Sequence, residues 1–372
     1  MPDIYQEILE FIRNPQPSRF DELAIRAFRH QFDWVRNYRA YCESRGADPS
    51  QIRSVDEVPV VSTAAFKYAN LAHDESAPRL EFLTSGTTLG RSHRGRHVVM
   101  HPEIYRASAL AHLRRMLFAD GARSRMLAMH PGSDVMPESS LSTMVTWCIE
   151  EFGARTMLYA ANRQGVDIAA AEDFLRRAAA DREPVCILTT TAAFASLCEH
   201  IETSSERIDL PAGSRLMDTG GAKGQAIPLT PAEVIGRARQ FLGIEPDLVI
   251  NEYGMTELCS QLYDATRFNS REVASGPRVK IAPPWLRVRA LDPVTLAGVS
   301  DGEMGLLAFF DLANVGSISA VMTEDIGVVR GDRVRLVGRA AASEARGCAL
   351  AIGEFEAVER KRQNRNAASV AS

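Results

Sequence analysis

The sequence lacks the cysteine patterns that mark several classes of protein. Its 372 residues contain six cysteines, and none stands in a C-x-x-C pair or at the spacing of zinc ligands. A scattered set of this kind is typical of reduced thiols, because disulfides persist in oxidising compartments. We therefore expect a cytoplasmic protein whose cysteines neither form a disulfide framework nor bind zinc.

The chain also lacks an excess of basic charge and lacks long apolar runs. Lys and Arg number 43 against 47 Asp and Glu, which gives a net charge of −4 and no basic footprint for nucleic acid. No apolar run approaches the length that crosses a bilayer. The N-terminus lacks the basic and then apolar segments of a signal peptide. We expect no nucleic-acid partner and no membrane span.

The composition that is present suits a globular protein with a large core. Hydrophobic residues make up 45% of the chain and charged residues 24%, which predicts more than one subdomain. Apolar spacing predicts helices over residues 4–12 and 20–42. Across residues 79–275, short apolar runs alternate with helical patterns, which favours an α/β fold with a mostly parallel sheet flanked by helices. Residues 276–338 hold short β-rich segments, which predicts a smaller antiparallel unit.

Local signals indicate where some elements begin. Asp167 is suited to be the N-cap of a helix, and Thr230 with Glu233 forms a capping box in front of another helix. Residues 80–83 and 98–100 would pair as a hairpin, with a basic loop between them. Predicted strands end directly before the polar stretches that are described next.

Three polar stretches follow predicted strands in chain order: 84–90, 220–222 and 251–257. In open α/β sheets, ligands bind beyond the carboxyl ends of the strands. Hydroxyls and backbone N–H groups of the first stretch can converge on a phosphate. The paired glycines of the second allow close approach of a base or an acyl chain. A common alternative for such Ser, Thr and Gly runs is a surface turn.

Single residues in and after these stretches have chemical uses for a nucleotide. Tyr253 can stack on a purine, and Glu257 is an oxygen ligand of the kind that Mg²⁺ prefers. Asp325, near the end of a predicted strand, can accept both hydroxyls of a ribose. The structural alternatives are a half-buried aromatic, an acid in the first turn of a helix and a turn residue. His130, after another strand, is either a substrate-facing or a structural histidine.

In this order the motifs resemble those of the adenylate-forming ligases, the superfamily of acyl-CoA synthetases, luciferases and peptide-synthetase adenylation domains. The resemblance spans about residues 80–350. It implies that ATP and Mg²⁺ take part, with Glu257 as the metal ligand, Thr256 and Glu257 in catalysis, and His130, Gly221 and Gly254 against the substrate. The nucleotide-binding residues that it implies are Thr84, Ser85, Gly86, Thr87, Thr88, Gly220, Gly221, Ala222, Glu252, Tyr253, Gly254, Met255, Thr256, Asp325 and Arg339.

The chain departs from that superfamily in its loop and in its length. Leu89 stands where a glycine is usual, and the lysine that follows in the superfamily is missing. The basic residues that can replace it are Arg91, Arg94, Arg96 and Lys223. The superfamily also adds a mobile C-terminal domain with a catalytic lysine, whereas here only about thirty residues follow Arg339. We therefore expect an adenylation core over residues 1–338 and a short C-terminal remnant over 339–372.

A shorter family with such an ending is the acyl-protein synthetase of the bacterial bioluminescence fatty acid reductase. Residues 59–67 and 344–350 are similar to that family, in which a cysteine near the C-terminus carries the acyl group as a thioester. Cys348 matches in position and context, and its structural alternative is a buried small apolar residue. Arg346 could lower the pKa of its thiol, and Cys259 is expected to pack beneath the nucleotide motif.

The resemblance implies ATP-dependent activation of a carboxylic acid, for which a fatty acid is a candidate, and acyl transfer to a protein cysteine. A partner would be the acyl acceptor or a reductase. The first alternative is a ligase that transfers the acyl group to CoA, a carrier protein or an amine. The second is a nucleotide-binding subunit without catalysis, suggested by the altered loop and the missing lysine domain.

Overall fold

The computed structural model describes residues 3–72, 80–84, 94–204, 206–220, 229–266 and 278–340. The helices in these ranges are α1 (Ile4–Arg13), α2 (Phe20–Trp34), α3 (Arg36–Ser44), α4 (Pro102–Leu117), α5 (Ser140–Phe152), α6 (Ile168–Asp181), α7 (Thr191–Ser204) and α8 (Pro231–Leu242). The strands in the same ranges are β1 (Val61–Ser62), β2 (Leu80–Leu83), β3 (Arg96–Val99), β4 (Ser124–Ala128), β5 (Gly153–Tyr159), β6 (Ala161–Asn162), β7 (Gly165–Val166), β8 (Val185–Thr190), β9 (Arg215–Thr219), β10 (Val249–Tyr253), β11 (Leu262–Asp264), β12 (Lys280–Ile281), β13 (Leu286–Leu291), β14 (Met304–Asp311), β15 (Ala320–Arg330) and β16 (Arg333–Arg339). The predicted mixed α/β fold is confirmed. None of the helices in these ranges has both the length and the apolar character needed to cross a bilayer.

The chain divides into two compact units that each use more than one stretch of sequence. The first is drawn from Met1–Ser108, Met255–Ser260 and Ala282–Ser372, and the second from Ala109–Gly254 and Gln261–Ile281. The boundary therefore falls inside the 251–257 stretch, after Gly254.

The second unit contains the predicted parallel sheet. Its strands lie in the order β5, β4, β8, β9, β10, all parallel, and β11 and β12 continue the order with antiparallel pairing. Apolar residues of β4, β8, β9 and β10 pack with α6, α7 and α8 in one buried cluster. On the opposite face the Tyr263 hydroxyl of β11 donates to the Met144 sulfur of α5 at 3.8 Å. Helices therefore cover both faces, as the alternating pattern predicted.

The first unit contains the antiparallel strands that were expected after residue 275. Strand β14 pairs with β13 and with β15, and β15 pairs with β16, all antiparallel, while β1 joins β15 in parallel. The predicted hairpin is also present, since β2 and β3 pair with Leu80 opposite Val99.

One predicted helix is two helices in the structure. Val35 is buried and has an extended backbone, with φ −97° and ψ 92°, so the helix expected over residues 20–42 ends at Trp34 and restarts at Arg36. Arg39 of α3 donates to the Phe32 carbonyl oxygen at 2.8 Å. This bond satisfies a carbonyl that the end of α2 leaves without an intrahelical partner.

The two local cap predictions are confirmed. The Asp167 carboxylate accepts from the Ala170 backbone N–H at 2.9 Å at the start of α6. Thr230 and Glu233 bond each other's backbone N–H groups at the start of α8. Both signals act over three residues, so they depend little on the surrounding fold.

Candidate functional site

In the second unit, candidate residues gather at the carboxyl ends of neighbouring parallel strands. His130 comes shortly after β4, Gly220 follows β9, and Tyr253 ends β10 with Gly254 after it. Thr191 follows β8, which lies between β4 and β9. Because these strands are parallel, their ends lie along one edge of the sheet, where α/β proteins bind ligands.

Both glycines at this edge have a structural requirement. Gly220 has φ +83°, a left-handed conformation that side chains disfavour. A Cβ on Gly254 would lie 2.3 Å from Oε1 of Glu252. Glycine at position 254 therefore makes room for the Glu252 carboxylate.

Asp218 of β9 is a buried carboxylate at this edge. Its Oδ2 accepts from the Thr191 hydroxyl at 2.7 Å and from the Asn251 side-chain amide at 3.0 Å. Its Oδ1 is buried and has no hydrogen-bond partner within the described part of the chain. Burial raises the pKa of Asp218, and the hydrogen bond from Thr191 partly opposes that rise.

Glu252 of β10 is a second buried carboxyl group, and it accepts a hydrogen bond from the Thr219 hydroxyl. Burial raises the pKa of Glu252 to about 7, while the Thr219 hydrogen bond and the Lys280 charge lower it and the Asp218 charge raises it. The side chain is therefore poised to gain or lose a proton near neutral pH.

A buried cation beside these acids was not found by the sequence analysis. The Lys280 ammonium group donates to Asn251 Oδ1 at 2.7 Å and to Asp264 Oδ1 at 3.1 Å, and its side chain is 5% exposed. Arg278 also pairs with Asp264. The sequence contained a signal for this buried cation, because Arg278 and Lys280 alternate with the apolar residues Val279 and Ile281.

His130 is half-buried, and its Nδ1 lies 3.1 Å from the Pro131 carbonyl oxygen and 3.4 Å from the Ser142 hydroxyl. Burial lowers the pKa of His130, which favours the neutral imidazole at neutral pH. The ring is therefore suited to hydrogen bonding with a substrate rather than to holding a charge.

In the first unit, Thr256 and Glu257 are the central residues of a turn. The Leu258 backbone N–H donates to the Met255 carbonyl oxygen at 3.2 Å and closes it. Both side chains are half-buried. His97 of β3 binds the Thr256 carbonyl oxygen at 2.6 Å, and Asn314 donates to the Glu257 carbonyl oxygen at 2.8 Å.

Asp325 and Arg339 are neighbours in the structure. They are cross-strand partners in β15 and β16, and the Arg339 guanidinium lies 3.1 Å from the Asp325 carboxylate. The expectation that Asp325 stands near the end of a strand is wrong. It lies in the middle of β15, because this strand continues to Arg330 and tolerates a register shift after Ile326.

Thr84 lies at the base of the basic loop, directly after β2. Its hydroxyl accepts from the Gly95 N–H at 2.7 Å, and its N–H donates to the Gly95 carbonyl oxygen at 2.9 Å. Arg94 donates to the Leu83 carbonyl oxygen at 3.0 Å and to that of Thr84. Arg96 forms an ion pair with Glu81 at 2.8 Å.

The remaining candidates lie outside the described residues. They are Ser85, Gly86, Thr87, Thr88, Arg91, Gly221, Ala222, Lys223, Arg346 and Cys348. Within the described ranges, no group of three or more His, Cys, Asp and Glu residues is arranged to hold a metal ion.

The cysteines inside the described ranges are all buried: Cys42, Cys148, Cys186, Cys198 and Cys259. Burial raises the pKa of each thiol, to about 12 in Cys42, Cys186 and Cys198 and well above its usual range in the other two. Since the thiolate is the nucleophile, none of these five is suited to carry an acyl group. Cys259 lies buried within the 255–260 segment.

Solved structures of ligases share this fold. The 2-hydroxyisobutyryl-CoA ligase in complex with 2-HIB-AMP and CoA, in its thioesterification state, superposes with a TM-score of 0.64 at 18% identity, over 88% of this chain and 69% of that chain. Its open conformation gives a TM-score of 0.62 at 16% identity, over 86% and 74%. Identities this low establish the fold alone.

Sequence comparisons identify the family. The long-chain-fatty-acid–luciferin-component ligase of Aliivibrio fischeri is 24% identical over 366 residues, which cover 92% of each chain. The ligase of the same name from Vibrio harveyi is 21% identical over 338 residues, covering 88% of this chain and 85% of that one. The family model described as acyl-protein synthetase, LuxE, matches residues 155–356, more than half of the sequence. As its motifs predicted, the chain belongs to this family of ligases, the acyl-protein synthetases.

Proposed function

We propose that this chain uses ATP to convert a carboxylic acid into an acyl adenylate, with release of pyrophosphate, and then transfers the acyl group to a protein thiol. Its family and its fold support this reaction. The observation that carries the proposal is the turn at Thr256 and Glu257, which holds two motif residues in an anchored backbone directly after β10 and Gly254. The relatives are named for a long-chain fatty acid, and we propose an acid of that class as the substrate.

The chemistry of several described residues supports the proposal that a nucleotide and a magnesium ion bind. Mg²⁺ is commonly bound by one or two carboxylates together with substrate phosphates, and the half-buried Glu257 offers such a carboxylate. Asp325 would accept the ribose hydroxyls while Arg339 holds its side chain from the neighbouring strand. Tyr253 would stack on the purine. Mg²⁺ would neutralise charge that develops on the phosphate.

Two of the four basic residues that could replace the missing loop lysine have partners in the β2–β3 hairpin. Arg94 donates to backbone carbonyls at the base of the loop and Arg96 pairs with Glu81. Both side chains therefore bind groups of the β2–β3 hairpin. We propose that these two arginines stabilise the hairpin, and that Arg91 or Lys223 supplies the positive charge to the phosphates.

Cys348 is the proposed acyl-bearing thiol. Burial makes the five described cysteines poor nucleophiles, and Cys348 is the sixth cysteine of the chain. A thiolate attacks the mixed anhydride, the C–O bond to AMP breaks, and a thioester forms as AMP leaves. A reductase or another acyl acceptor would then receive the acyl group as a partner protein.

Exchange of radioactive pyrophosphate into ATP, screened over acids of increasing chain length, tests the first step. Glu257→Gln should lower acid-dependent exchange by about 100-fold or more, because one ligand of the charge-neutralising metal is lost, while Tm stays near the wild-type value. The exposed Glu245 provides the matched control, and Glu245→Gln should keep full exchange. No exchange with any acid in the wild-type protein would refute the proposed function.

Retention of labelled acid on the denatured protein, and its release by hydroxylamine, tests the second step. Cys348→Ser should keep exchange and lose the label, whereas Cys198→Ser, which removes a buried thiol of α7, should keep both. A wild-type level of label in Cys348→Ser would show that the acyl group is carried elsewhere.

A further inference from the structure

The short segment after β10 is held by side chains that come from distant parts of the first unit. On one side stands His97, which is 1% exposed and packs edge-on against Phe66 with ring centroids 5.4 Å apart. Burial lowers the pKa of His97 to about 4, so the ring is neutral at neutral pH. Its Nδ1 lies 2.6 Å from the Thr256 carbonyl oxygen, an acceptor, and therefore carries the ring proton.

On the other side stand two polar residues, Asp311 at the end of β14 and Asn314 in the turn that follows it. Asn314 donates to the Glu257 carbonyl oxygen at 2.8 Å, and its Oδ1 accepts from the Cys259 N–H at 2.9 Å. Asp311 accepts from the same N–H at 3.0 Å and from the Ser260 hydroxyl at 2.7 Å. Asp311 and Asn314 are almost fully buried.

The turn that carries Asn314 is itself fixed by the N-terminal helix α2. The side-chain amide of Gln31, 1% exposed, donates to the carbonyl oxygens of Asn314 at 3.0 Å and of Val315 at 3.2 Å. Its Oε1 accepts from the Ser319 N–H at 3.2 Å. The support thus runs from α2 through this turn to the carbonyl of Glu257.

We propose that His97, Asp311 and Asn314 are positioning residues that hold the Thr256–Glu257 turn, and with it the Glu257 carboxylate, in the geometry that adenylation requires. This inference rests on the proposed function of Glu257. Burying three polar side chains has a desolvation cost that apolar packing would avoid. Here their bonds converge on the backbone of residues 256–259, so they specify the position of that segment.

Two substitutions at position 97 and one at position 314 test the proposal. His97→Leu removes the donor to the Thr256 carbonyl, whereas His97→Asn can place an amide N–H close to the position of Nδ1. Asn314→Asp replaces the donor to the Glu257 carbonyl by an oxygen and keeps the acceptor for Cys259. Asn37→Asp is the matched control, because the buried Asn37 amide also donates to a backbone carbonyl at 2.8 Å, that of Asn70, away from the segment.

The readouts are acid-dependent exchange, the Mg²⁺ concentration that half-saturates it, calorimetric ATP binding with Mg²⁺ and with EDTA, and Tm. In His97→Leu and Asn314→Asp we expect kcat for exchange to fall roughly 10- to 100-fold, as small misplacements of a catalytic group do. The Mg²⁺ requirement should rise, and ATP binding in EDTA should stay unchanged. His97→Asn should recover most of the exchange, and Asn37→Asp should lower Tm alone.

Folded variants with wild-type exchange and a wild-type Mg²⁺ requirement would overturn the inference. An equal loss in His97→Leu and His97→Asn would overturn the assigned role of the Nδ1 donor. Should Asn314→Asp not fold, the His97 pair decides the question. Absence of exchange in the wild-type protein would instead refute the proposed function, so the two failures are distinguishable.

Discussion

Replacing Glu252 by glutamine should change how the stability of the protein depends on pH. Burial raises the pKa of Glu252 from an ordinary value of 4.5 to about 7. Between these two values the folded state keeps the proton while the unfolded state has lost it. The folded state binds more protons there, so the stability that this group contributes is present at low pH and is lost as pH rises towards 7.

The magnitude follows from the two pKa values. Between about pH 5.5 and pH 8, ionisation of Glu252 should lower the free energy of unfolding by about 2 kcal/mol, at about 1.4 kcal/mol per pKa unit. Glutamine does not ionise and can still accept from the Thr219 hydroxyl. Glu252→Gln should therefore remove that part of the pH dependence.

Denaturant unfolding of both proteins across this pH range measures the difference. Subtracting the two curves cancels the other titrating groups, so only the Glu252 contribution remains. Glu233→Gln is the control, because its capping hydrogen bonds lower the pKa of the exposed Glu233. The contribution of Glu233 to the free energy of unfolding therefore changes only at more acidic pH. Parallel curves for the wild type and Glu252→Gln would refute the burial argument.

Two further substitutions test the geometry directly. Gly254→Ala should destabilise the protein by about 1–3 kcal/mol, because its Cβ would collide with the Glu252 carboxylate. Gly236→Ala, in α8 with open space around it, should instead stabilise the protein by about 0.4–1 kcal/mol. Equal denaturation midpoints for the two variants would contradict the predicted collision. Asp325→Ala should weaken ATP binding by roughly 1.5–3 kcal/mol while changing stability by less than about 1 kcal/mol, since the Arg339 side chain with which it pairs is 66% exposed. Unchanged ATP affinity in calorimetry would remove Asp325 from the nucleotide site.

The structural features that depend on only a few neighbouring residues could be predicted from the sequence. The capping box at Thr230 and the N-cap at Asp167 follow from bonds within three positions of the chain. The alternation of apolar strands and helices predicted the parallel sheet, because such strands can bury both faces only under helices. The family followed from motif order, while the roles of individual motif residues remain predictions.

Only the tertiary structure shows which buried polar side chains support the candidate site. Asn314 and Gln31 are nearly three hundred positions apart in the chain, yet they bond to each other and secure the Glu257 carbonyl. The Lys280 ammonium group likewise donates to the side chain of Asn251, which lies 29 positions away in the chain. A polar side chain inside an apolar run signals burial, but the sequence does not say which distant partner will satisfy it. That partner is set by how helices, turns and strands pack together, and this packing depends on the whole core rather than on neighbouring residues.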